Sequence, residues 1–450
     1  MSRSLAAGAA VLLLLAPLPA LASTPSPAEA AHGGRFSVLT YNIAGLPEIG
    51  TDENPSVNTP IIGERIGAYD IVHVQEDFNH HAALYEADDH PHRTPTSGGV
   101  PFGDGLNTLS TYPYSDFERV RWDECNGVDC LTPKGFTFSR IRLAEGVYLD
   151  LYNLHTNAGV TSADLAARRS NITQLSEYIQ RNSRDNAVVV MGDTNTRYTR
   201  AEDNIRELVD ANGLTDAWVA TERAGRRPAA GDPALVCDPD ALVDDCEVVD
   251  KVLFRGNAFI DLELTGYAND HADFLDGAGE MLSDHFPHMA EFAWTTDDAV
   301  QMSAPTGGPH GTPFTDVARI AAGARPTALT LRAGSRIDAV GMRYADGTRT
   351  AHGGTGGTAA ELSLETGENL ASVTLSTGKK NGHTRVFSAE FRTDRGRTLG
   401  RRNAHHGHGH LHGTGRVADR GIPRPLRRRS GQARPHLHAD RLTFDRFEAS

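Results

Sequence analysis

Short apolar segments alternate with polar loops from Arg35 to about Trp294. The alternation of apolar and polar side chains predicts six strands, at residues 36–41, 69–74, 147–152, 187–191, 248–254 and 289–294. Residues 163–181 have helical spacing instead, with apolar side chains on one stripe at Leu165, Ile172, Leu175 and Ile179. Strands mixed with helices over this length predict a layered α/β sandwich, which we assign to residues 34–296.

The pattern changes beyond this sandwich. Residues 297–312 are polar, contain Pro and Gly, and predict a linker. Helical spacing then nearly disappears, while strand-like alternation returns at residues 328–332 and 337–342 before a glycine-rich turn at 352–357. We therefore predict a smaller all-β domain at residues 313–400.

The N-terminus has the features of a secretory signal peptide at residues 1–22. Arg3 supplies a positive charge, residues 11–15 are apolar, and Ala20-Leu21-Ala22 forms a cleavage site. The apolar stretch is too short for a good membrane span, and no later segment is long and apolar enough. We expect a secreted, extracellular protein without a transmembrane segment; an uncleaved anchor is the alternative.

The C-terminal tail, residues 401–450, differs from both domains. It holds seven of the 20 histidines and the run Arg427-Arg428-Arg429, with almost no periodicity. This composition favours a disordered tail. A metal- or polyanion-binding tail and a shifted reading frame are the alternatives.

The four cysteines form two close pairs, Cys125 with Cys130 and Cys237 with Cys246. Export implies an oxidising environment, so disulfides are expected. Four cysteines allow three connectivities; we expect local pairing. A metal site made by all four cysteines would need tighter spacing.

The net charge is −14, although the C-terminal end is basic. An acidic body argues mildly against tight electrostatic binding of nucleic acid. It does not exclude a nuclease that holds phosphates through metal ions.

Six apolar segments end abruptly in side chains that can bind a metal ion or a phosphate. These side chains are Asn42, Glu76, His155, Asp193 with Asn195, Asp250, and Asp284 with His285. Strand ends are where sheets present functional groups rigidly. Taken singly, each segment is explained as a turn or a solvated acid, but together they indicate one site.

Hydrolysis of a phosphate diester explains these residue types. The reaction needs a cation to neutralise developing charge and an activated water. Glu76 and Asp284 supply the hard oxygen ligands that Mg²⁺, Mn²⁺ or Ca²⁺ prefer. His285 can take a proton from water while Asp250 orients its imidazole. His155 and Asn195 can hydrogen-bond the phosphoryl oxygens, which leaves Asp193 to be assigned by resemblance.

Residues from about Arg35 to Trp294, with all six motifs, resemble the endonuclease/exonuclease/phosphatase superfamily, also called deoxyribonuclease I-like. The resemblance implies a four-layered α/β sandwich. It also implies that Glu76 binds the catalytic metal, most often Mg²⁺, with Asn42 beside it and Asp284 next to it. His155, Asp193 and Asn195 would bind the phosphate, position the water or hold a second metal. Asp250 would support His285 as the general base.

Two segments look like the secreted bacterial sphingomyelinase and phospholipase C branch of this superfamily. One is residues 70–78 around Glu76, and the other is the Cys125 to Cys130 segment followed by Lys134-Gly135-Phe136. We find no aromatic-rich apolar hairpin of the kind that an interfacial enzyme pushes into lipid. The loop closed by Cys125 and Cys130 is either a stapled loop or an edge of the substrate site.

Residues 335–347, with the glycine-rich turn at 352–357, resemble jacalin-like lectins, which have a β-prism fold. The resemblance implies a sugar site near a glycine loop, for which Gly307 and Gly308 are the candidates. The family's second, acidic loop has no counterpart, because the tail departs from the pattern. The domain either binds a glycan or serves as a spacer.

The sequence thus predicts a secreted, divalent-metal-dependent phosphodiesterase, sphingomyelinase- or phospholipase C-like, with a phospholipid as its substrate. A secreted endonuclease acting on nucleic acid is the first alternative. A carbohydrate-binding lectin with an idle hydrolase domain is the alternative from another class of protein.

Overall fold

The computed structural model describes residues 33–47, 54–98, 103–296, 314–381 and 383–401. The predicted signal peptide and linker, and the predicted tail apart from Arg401, lie outside these ranges. Within them, no helix combines the length and apolarity needed to cross a membrane.

Two six-stranded sheets form the first domain. The first sheet has the order β11-β12-β1-β2-β4-β3. Its strands are β1 (Gly33–Asn42), β2 (Ile71–Gln75), β3 (His92–Arg93), β4 (Asn107–Ser110), β11 (Ile260–Asn269) and β12 (His288–Thr296). β1 and β2 are parallel, so both deliver their carboxyl ends to the same edge of this sheet.

The second sheet has the order β5-β6-β7-β8-β10-β9. Its strands are β5 (Tyr114–Arg121), β6 (Gly135–Ala144), β7 (Val147–His155), β8 (Val188–Asp193), β9 (Thr215–Asp216) and β10 (Asp250–Arg255). β7 and β8 are parallel, and His155 pairs in register with Asp193 at their carboxyl ends. β10 runs antiparallel to β8, so its first residue, Asp250, also lies opposite Asp193.

Helices cover the outer face of each sheet. They are α1 (Pro55–Ile66) and α2 (His81–Ala87) in the first half, and α3 (Ser162–Asn182), α4 (Ile205–Asn212) and α5 (Ala217–Thr221) in the second. α3 begins with a capping box in which Thr161 and Asp164 satisfy each other's backbone N–H groups. Helix, sheet, sheet and helix give the four layers that the resemblance implied.

Apolar residues fill the space between the sheets and the space under the helices. Val189 on β8 belongs to the cluster between the sheets, and its neighbour Val190 belongs to the cluster beneath α3. Successive strand side chains point to opposite faces, so strands buried on both faces are continuously apolar. The run of valines at 188–190 therefore reflects a central strand.

The second domain contains two antiparallel sheets with the orders β15-β14-β13-β16 and β17-β18-β19. Its strands are β13 (Pro326–Ala333), β14 (Ile337–Tyr344), β15 (Arg349–Gly353), β16 (Thr358–Ser363), β17 (Leu370–Lys380), β18 (His383–Thr393) and β19 (Thr398–Arg401). Leu329 and Val340 pack with Val386 and Phe391 in one core. The short helix α6 (Val317–Ala321) precedes the strands, and the predicted all-β character is confirmed.

Candidate active site

The predicted site residues lie at the carboxyl ends of two pairs of parallel strands, one pair in each sheet. Asn42 ends β1, Glu76 directly follows β2, His155 ends β7 and Asp193 ends β8. Because the two sheets pack face to face, these ends meet at one edge of the sandwich. A hydrogen bond joins the sheets there, since Asn42 Nδ2 donates to Asp193 Oδ2 at 3.2 Å.

Close backbone packing shapes this edge. Gly192 lies opposite Leu154, and a Cβ on Gly192 would sit 2.2 Å from the Leu154 carbonyl oxygen. Glu76 and Asn195 have φ angles of 56° and 49°, in the left-handed region that costs a residue with a Cβ about 1–2 kcal/mol. Strained backbone of this kind clusters at functional sites, which agrees with the placement of both side chains.

His285 and Asp250 form a dyad. His285 Nδ1 and Asp250 Oδ2 are 2.8 Å apart, and Asp250 is buried whereas the His285 side chain is 19% exposed. Burial alone would lower the pKa of His285, but the charges of Asp250 and Asp193 and the hydrogen bond to Asp250 raise it well above its ordinary value. The predicted partnership of these two residues has the geometry that a general base requires.

The loop that carries His285 is fixed to the first sheet by Ser283. Ser283 Oγ donates to the Asn42 carbonyl oxygen at 2.7 Å and accepts from the His285 backbone N–H at 3.2 Å. His285 Nε2 then lies 3.8 Å from Asp193 Oδ2. The imidazole nitrogen that is not paired with Asp250, Nε2, is therefore directed toward Asp193.

Asp193 is the centre of the polar cluster. Its Oδ2 lies 3.2 Å from His155 Nε2, and its Oδ1 accepts from the Asn195 backbone N–H at 2.9 Å. Burial raises the pKa of Asp193 to about 6, with the Asp250 charge raising it further and His285 opposing the shift. A carboxyl group with this pKa can hold or release a proton near neutral pH.

Two hydrogen bonds position Asn195, one from its side chain and one to its backbone carbonyl. Its Nδ2 donates to the Thr156 carbonyl oxygen at 3.4 Å, and Arg200 Nη1 donates to the Asn195 carbonyl oxygen at 3.0 Å. The amide is half-buried. This side chain lies beside Asp193, where the predicted contact with a phosphoryl oxygen is possible.

Lys134 is the site residue that the sequence reasoning did not assign. Its Nζ lies 2.9 Å from His155 Nε2 and forms an ion pair with Asp129. Burial lowers the pKa of His155 well below its ordinary value, and the charges of Lys134 and His285 lower it further. His155 is therefore neutral, and Lys134 donates to it. The signal in the sequence is the position of this lysine, between the Cys125 to Cys130 segment and β6.

Glu76 is the best candidate for holding a divalent cation. Its side chain is 18% exposed, and Asn42 Nδ2 donates to its Oε1 at 3.3 Å. Burial raises the pKa of Glu76, although Lys134 opposes the shift, and the charge of Asp284 contributes to the rise. Four carboxylates, Glu76, Asp193, Asp250 and Asp284, thus face two cationic side chains, Lys134 and His285. An excess of hard, negatively charged oxygens fits a divalent metal ion.

The ligand roles of Asn42 and Asp284 stay predictions. Asn42 Oδ1 accepts from the Ala44 backbone N–H at 3.1 Å, so its amide presents NH₂ to the two carboxylates. Asp284 is exposed, and its Oδ1 accepts from Ser283 Oγ at 3.5 Å. One ligand atom from each of Asp193, Asp250 and His285 also lies within 4.8 Å of the other two. Because Asp250 and His285 already bind each other, Glu76 remains the preferred ligand.

The two disulfides have the predicted local connectivity. Cys125 is bonded to Cys130, and Cys237 is bonded to Cys246. Asp129, within the loop that the Cys125–Cys130 disulfide closes, forms an ion pair with Lys134. Gly307 and Gly308, the predicted sugar-binding glycines, lie outside the described residues.

Comparison with family models confirms both resemblances. Residues 56–220 match the model described as "Endonuclease/Exonuclease/phosphatase family 2", and residues 303–414 match the "Jacalin-like lectin domain". Each match covers part of the chain, and each falls on a segment for which the resemblance was stated.

Curated relatives and solved structures are each similar to part of this chain. The chain is 40% identical over 277 residues to proteins named "Sphingomyelinase" from Mycobacterium bovis and Mycobacterium tuberculosis, a match that covers 59% of this chain and 54% of each relative. It thus spans about half the length of the curated relatives that it matches. Structures of beta toxin from Staphylococcus aureus and of sphingomyelinase C from Streptomyces griseocarneus are 16% and 20% identical, with TM-scores of 0.40. Each covers 57% of this chain and 99% of its own.

Proposed function

We propose that this protein is a secreted phosphodiesterase that depends on a divalent metal ion, Mg²⁺ in the first instance, and hydrolyses the phosphodiester of phospholipid head groups. The observation that carries the proposal is the His285–Asp250 dyad. It lies at the same edge of the sandwich as Asp193, His155 and Asn195. The 40% identity to proteins named sphingomyelinase supports the lipid substrate.

The side chains define the steps. His285 Nε2 accepts a proton from a water molecule while Asp250 holds Nδ1 and stabilises the resulting imidazolium. The water oxygen forms a bond to phosphorus, and the bond from phosphorus to the alcohol oxygen breaks. The alkoxide takes a proton from solvent and leaves as the alcohol, His285 releases its proton to solvent, and the phosphorylated head group is the second product. Lys134 and Asn195 donate to the phosphoryl oxygens as negative charge develops on them, and neutral His155 positions Lys134 by accepting a hydrogen bond from its Nζ.

A divalent cation held by Glu76 would supply Lewis-acid stabilisation of that charge. Asn42 orients Glu76 and Asp193 through its amide. These carboxylates would repel an anionic phosphate, so the cationic Lys134 and a bound metal ion are both needed to receive the substrate.

Two further parts of the proposal rest on other observations. Two disulfides suit an oxidising, extracellular environment; appearance of the protein in the culture medium tests secretion. The jacalin-like match supports glycan binding by the second domain; a glycan array tests it. Tight glycan binding without turnover of any phosphate ester would favour the lectin alternative.

The decisive assay uses the purified full chain with Mg²⁺ on sphingomyelin, phosphatidylcholine and plasmid DNA. We expect hydrolysis of a lipid, loss of activity in chelator with recovery on addition of Mg²⁺, Mn²⁺ or Ca²⁺, and inactivity of His285→Ala. Cleavage of DNA alone would replace the lipid assignment by an endonuclease. Activity that survives both chelator and His285→Ala would contradict the mechanism.

A further inference from the structure

Three strongly exposed aliphatic side chains lie on two loops beside the candidate active site. Val128, Leu131 and Val160 are 80%, 70% and 69% exposed. Among the described residues, the other large hydrophobic side chains with such exposure are Val57, Val236 and Val243. Exposed apolar side chains that cluster in one place mark interaction surfaces, whereas single ones need no explanation.

Hydrogen bonds hold the two loops side by side. The Ala158 backbone N–H donates to Asp129 Oδ2 at 2.7 Å, and the Asn126 backbone N–H donates to Asn157 Oδ1 at 2.6 Å. The first loop is closed by the Cys125–Cys130 disulfide and contains a short 3₁₀ helix, Gly127–Leu131. These constraints fix the backbone, so Val128 and Leu131 are presented on a rigid loop rather than on a flexible one.

The same loops are bonded to the site. Asp129, next to Val128, pairs with Lys134, whose Nζ lies 2.9 Å from His155 Nε2. Ala158 lies three residues after His155. A surface that touches these loops therefore lies close to the buried pair of Lys134 and His155.

The charges around the loops select the kind of surface. Within residues 121–134, Asp123 and Glu124 are exposed, Arg121 is the exposed cation, and Lys134 is buried in its ion pair. Anionic membranes are bound by clusters of exposed Lys and Arg, which this segment does not have. A zwitterionic surface whose outermost groups are quaternary ammonium ions has no such requirement and is attracted by acidic side chains.

We propose that Val128, Leu131 and Val160 form a membrane-contact surface that rests on a zwitterionic phospholipid bilayer. This inference rests on the proposed lipid substrate and names the element that brings the cleft to it. The contact surface presses its aliphatic side chains into the interfacial region of the bilayer. The candidate active site beside these loops then lies near the level of the phosphodiesters.

The binding test uses the full chain, chelator to prevent turnover, and sedimentation with vesicles of phosphatidylcholine and sphingomyelin. The V128S/L131S variant should bind these vesicles on the order of ten- to a hundred-fold more weakly, since each partly buried aliphatic side chain contributes a fraction of its full transfer free energy. V160S added to this variant should weaken binding further. The matched control is V236S/V243S, which removes two exposed valines from the other disulfide-closed region and should bind as the wild type does.

The activity test separates the surface from the chemistry. We expect V128S/L131S to hydrolyse the soluble diester bis(p-nitrophenyl) phosphate at the wild-type rate and to lose vesicle hydrolysis in proportion to binding. Equal vesicle binding by V128S/L131S and wild type would overturn the inference, as would an equal loss in V236S/V243S. An equal fall on the soluble diester would place the loop in the substrate site instead.

Three other outcomes have distinct meanings. A change in oligomeric state of V128S/L131S by light scattering, with unchanged vesicle binding, would assign the surface to a second copy of the chain and overturn the inference. If the wild type hydrolyses neither diester, the proposed function fails, while vesicle binding still tests the contact surface. Preference for phosphatidylglycerol vesicles over phosphatidylcholine vesicles would contradict the assignment to a zwitterionic bilayer.

Discussion

His285 Nδ1 lies 2.8 Å from Asp250 Oδ2, although the two residues are attached to different sheets. Asp250 begins β10 in the second sheet, whereas His285 lies in the loop that leads into β12 of the first. The dyad therefore exists only when the two sheets are packed against each other. Ser283 adds a tie from this loop to the end of β1, so the catalytic geometry depends on the sandwich as a whole.

Asp250→Asn should lower kcat on the lipid or soluble diester by about 10²–10⁴-fold, because the imidazole loses both its orientation and its stabilising charge. The sign of the pH effect follows from the raised pKa of His285, which acts as a base only when it is neutral. Activity should therefore rise with pH through that pKa. Removing the Asp250 charge lowers the pKa, so the rising limb of the kcat–pH profile should move to lower pH.

The matched control is Asp216→Asn. Asp216 is as buried as Asp250, but it accepts from Tyr198 Oη at 3.0 Å and caps α5. We expect this variant to lose stability and to keep wild-type kcat per folded molecule. A rising limb that stays in place in Asp250→Asn would show that another group is the base.

Lys134→Met tests the residue that emerged from the structure. We expect kcat to fall about 10²–10³-fold, the loss typical when a donor to developing charge is removed from a buried site. Lys134→Arg keeps the charge but not the shape of the side chain, so its kcat should lie between those of Lys134→Met and the wild type. Steady-state kinetics on a soluble diester measure both variants, and a kcat within twofold of the wild type for Lys134→Met would remove this lysine from the mechanism.

Glu76→Gln should abolish stimulation by Mg²⁺ and also the stabilisation that Mg²⁺ confers on the folded protein. A bound ion stabilises by about 2.7 kcal/mol at a concentration one hundred times its dissociation constant. Thermal unfolding with and without Mg²⁺ reads this out independently of activity. Glu291→Gln, at an exposed position on β12, is the control and should respond to Mg²⁺ as the wild type does. An equal rise in Tm for Glu76→Gln and wild type would place the ion elsewhere.

Much of the sandwich could be predicted from the sequence because its central strands are buried on both faces. β8 contains the apolar run at residues 188–191 and β10 the apolar run at residues 252–254, which few other local structures produce. The strands β3, β4, β5, β6, β9 and β11 were not predicted. The residues of the edge strand β5 are half-buried or exposed and include four charged side chains, Asp116, Glu118, Arg119 and Arg121. Periodicity carries little information where neither face is fully buried.

The site residues at strand ends could be predicted because sequence order and parallel topology together place Glu76, His155 and Asp193 at one edge. Lys134 could not, because it precedes β6 and reaches the site through a loop held by Asp129 and a disulfide. Loop geometry of this kind depends on tertiary contacts such as that between Asp129 and Ala158. Local patterns do not encode those contacts.

His73 makes the stability of the fold depend on pH. It is fully buried on β2, its Nδ1 lies 3.3 Å from the Met191 carbonyl oxygen, and burial lowers its pKa to about 3 although that hydrogen bond opposes the shift. In the unfolded chain the ordinary pKa is about 6.5. The unfolded state therefore takes up the proton first, so the stabilising contribution is complete above pH 6.5 and is lost as the pH falls toward 3.

Between pH 7 and pH 5 this one residue should account for about 2 kcal/mol of the fall in unfolding free energy. Urea unfolding at both values should show that His73→Gln, which can still hydrogen-bond Met191, has a fall smaller by that amount. Equal falls in the variant and the wild type would mean that His73 is protonated in the folded state, or that other groups dominate the acid limb.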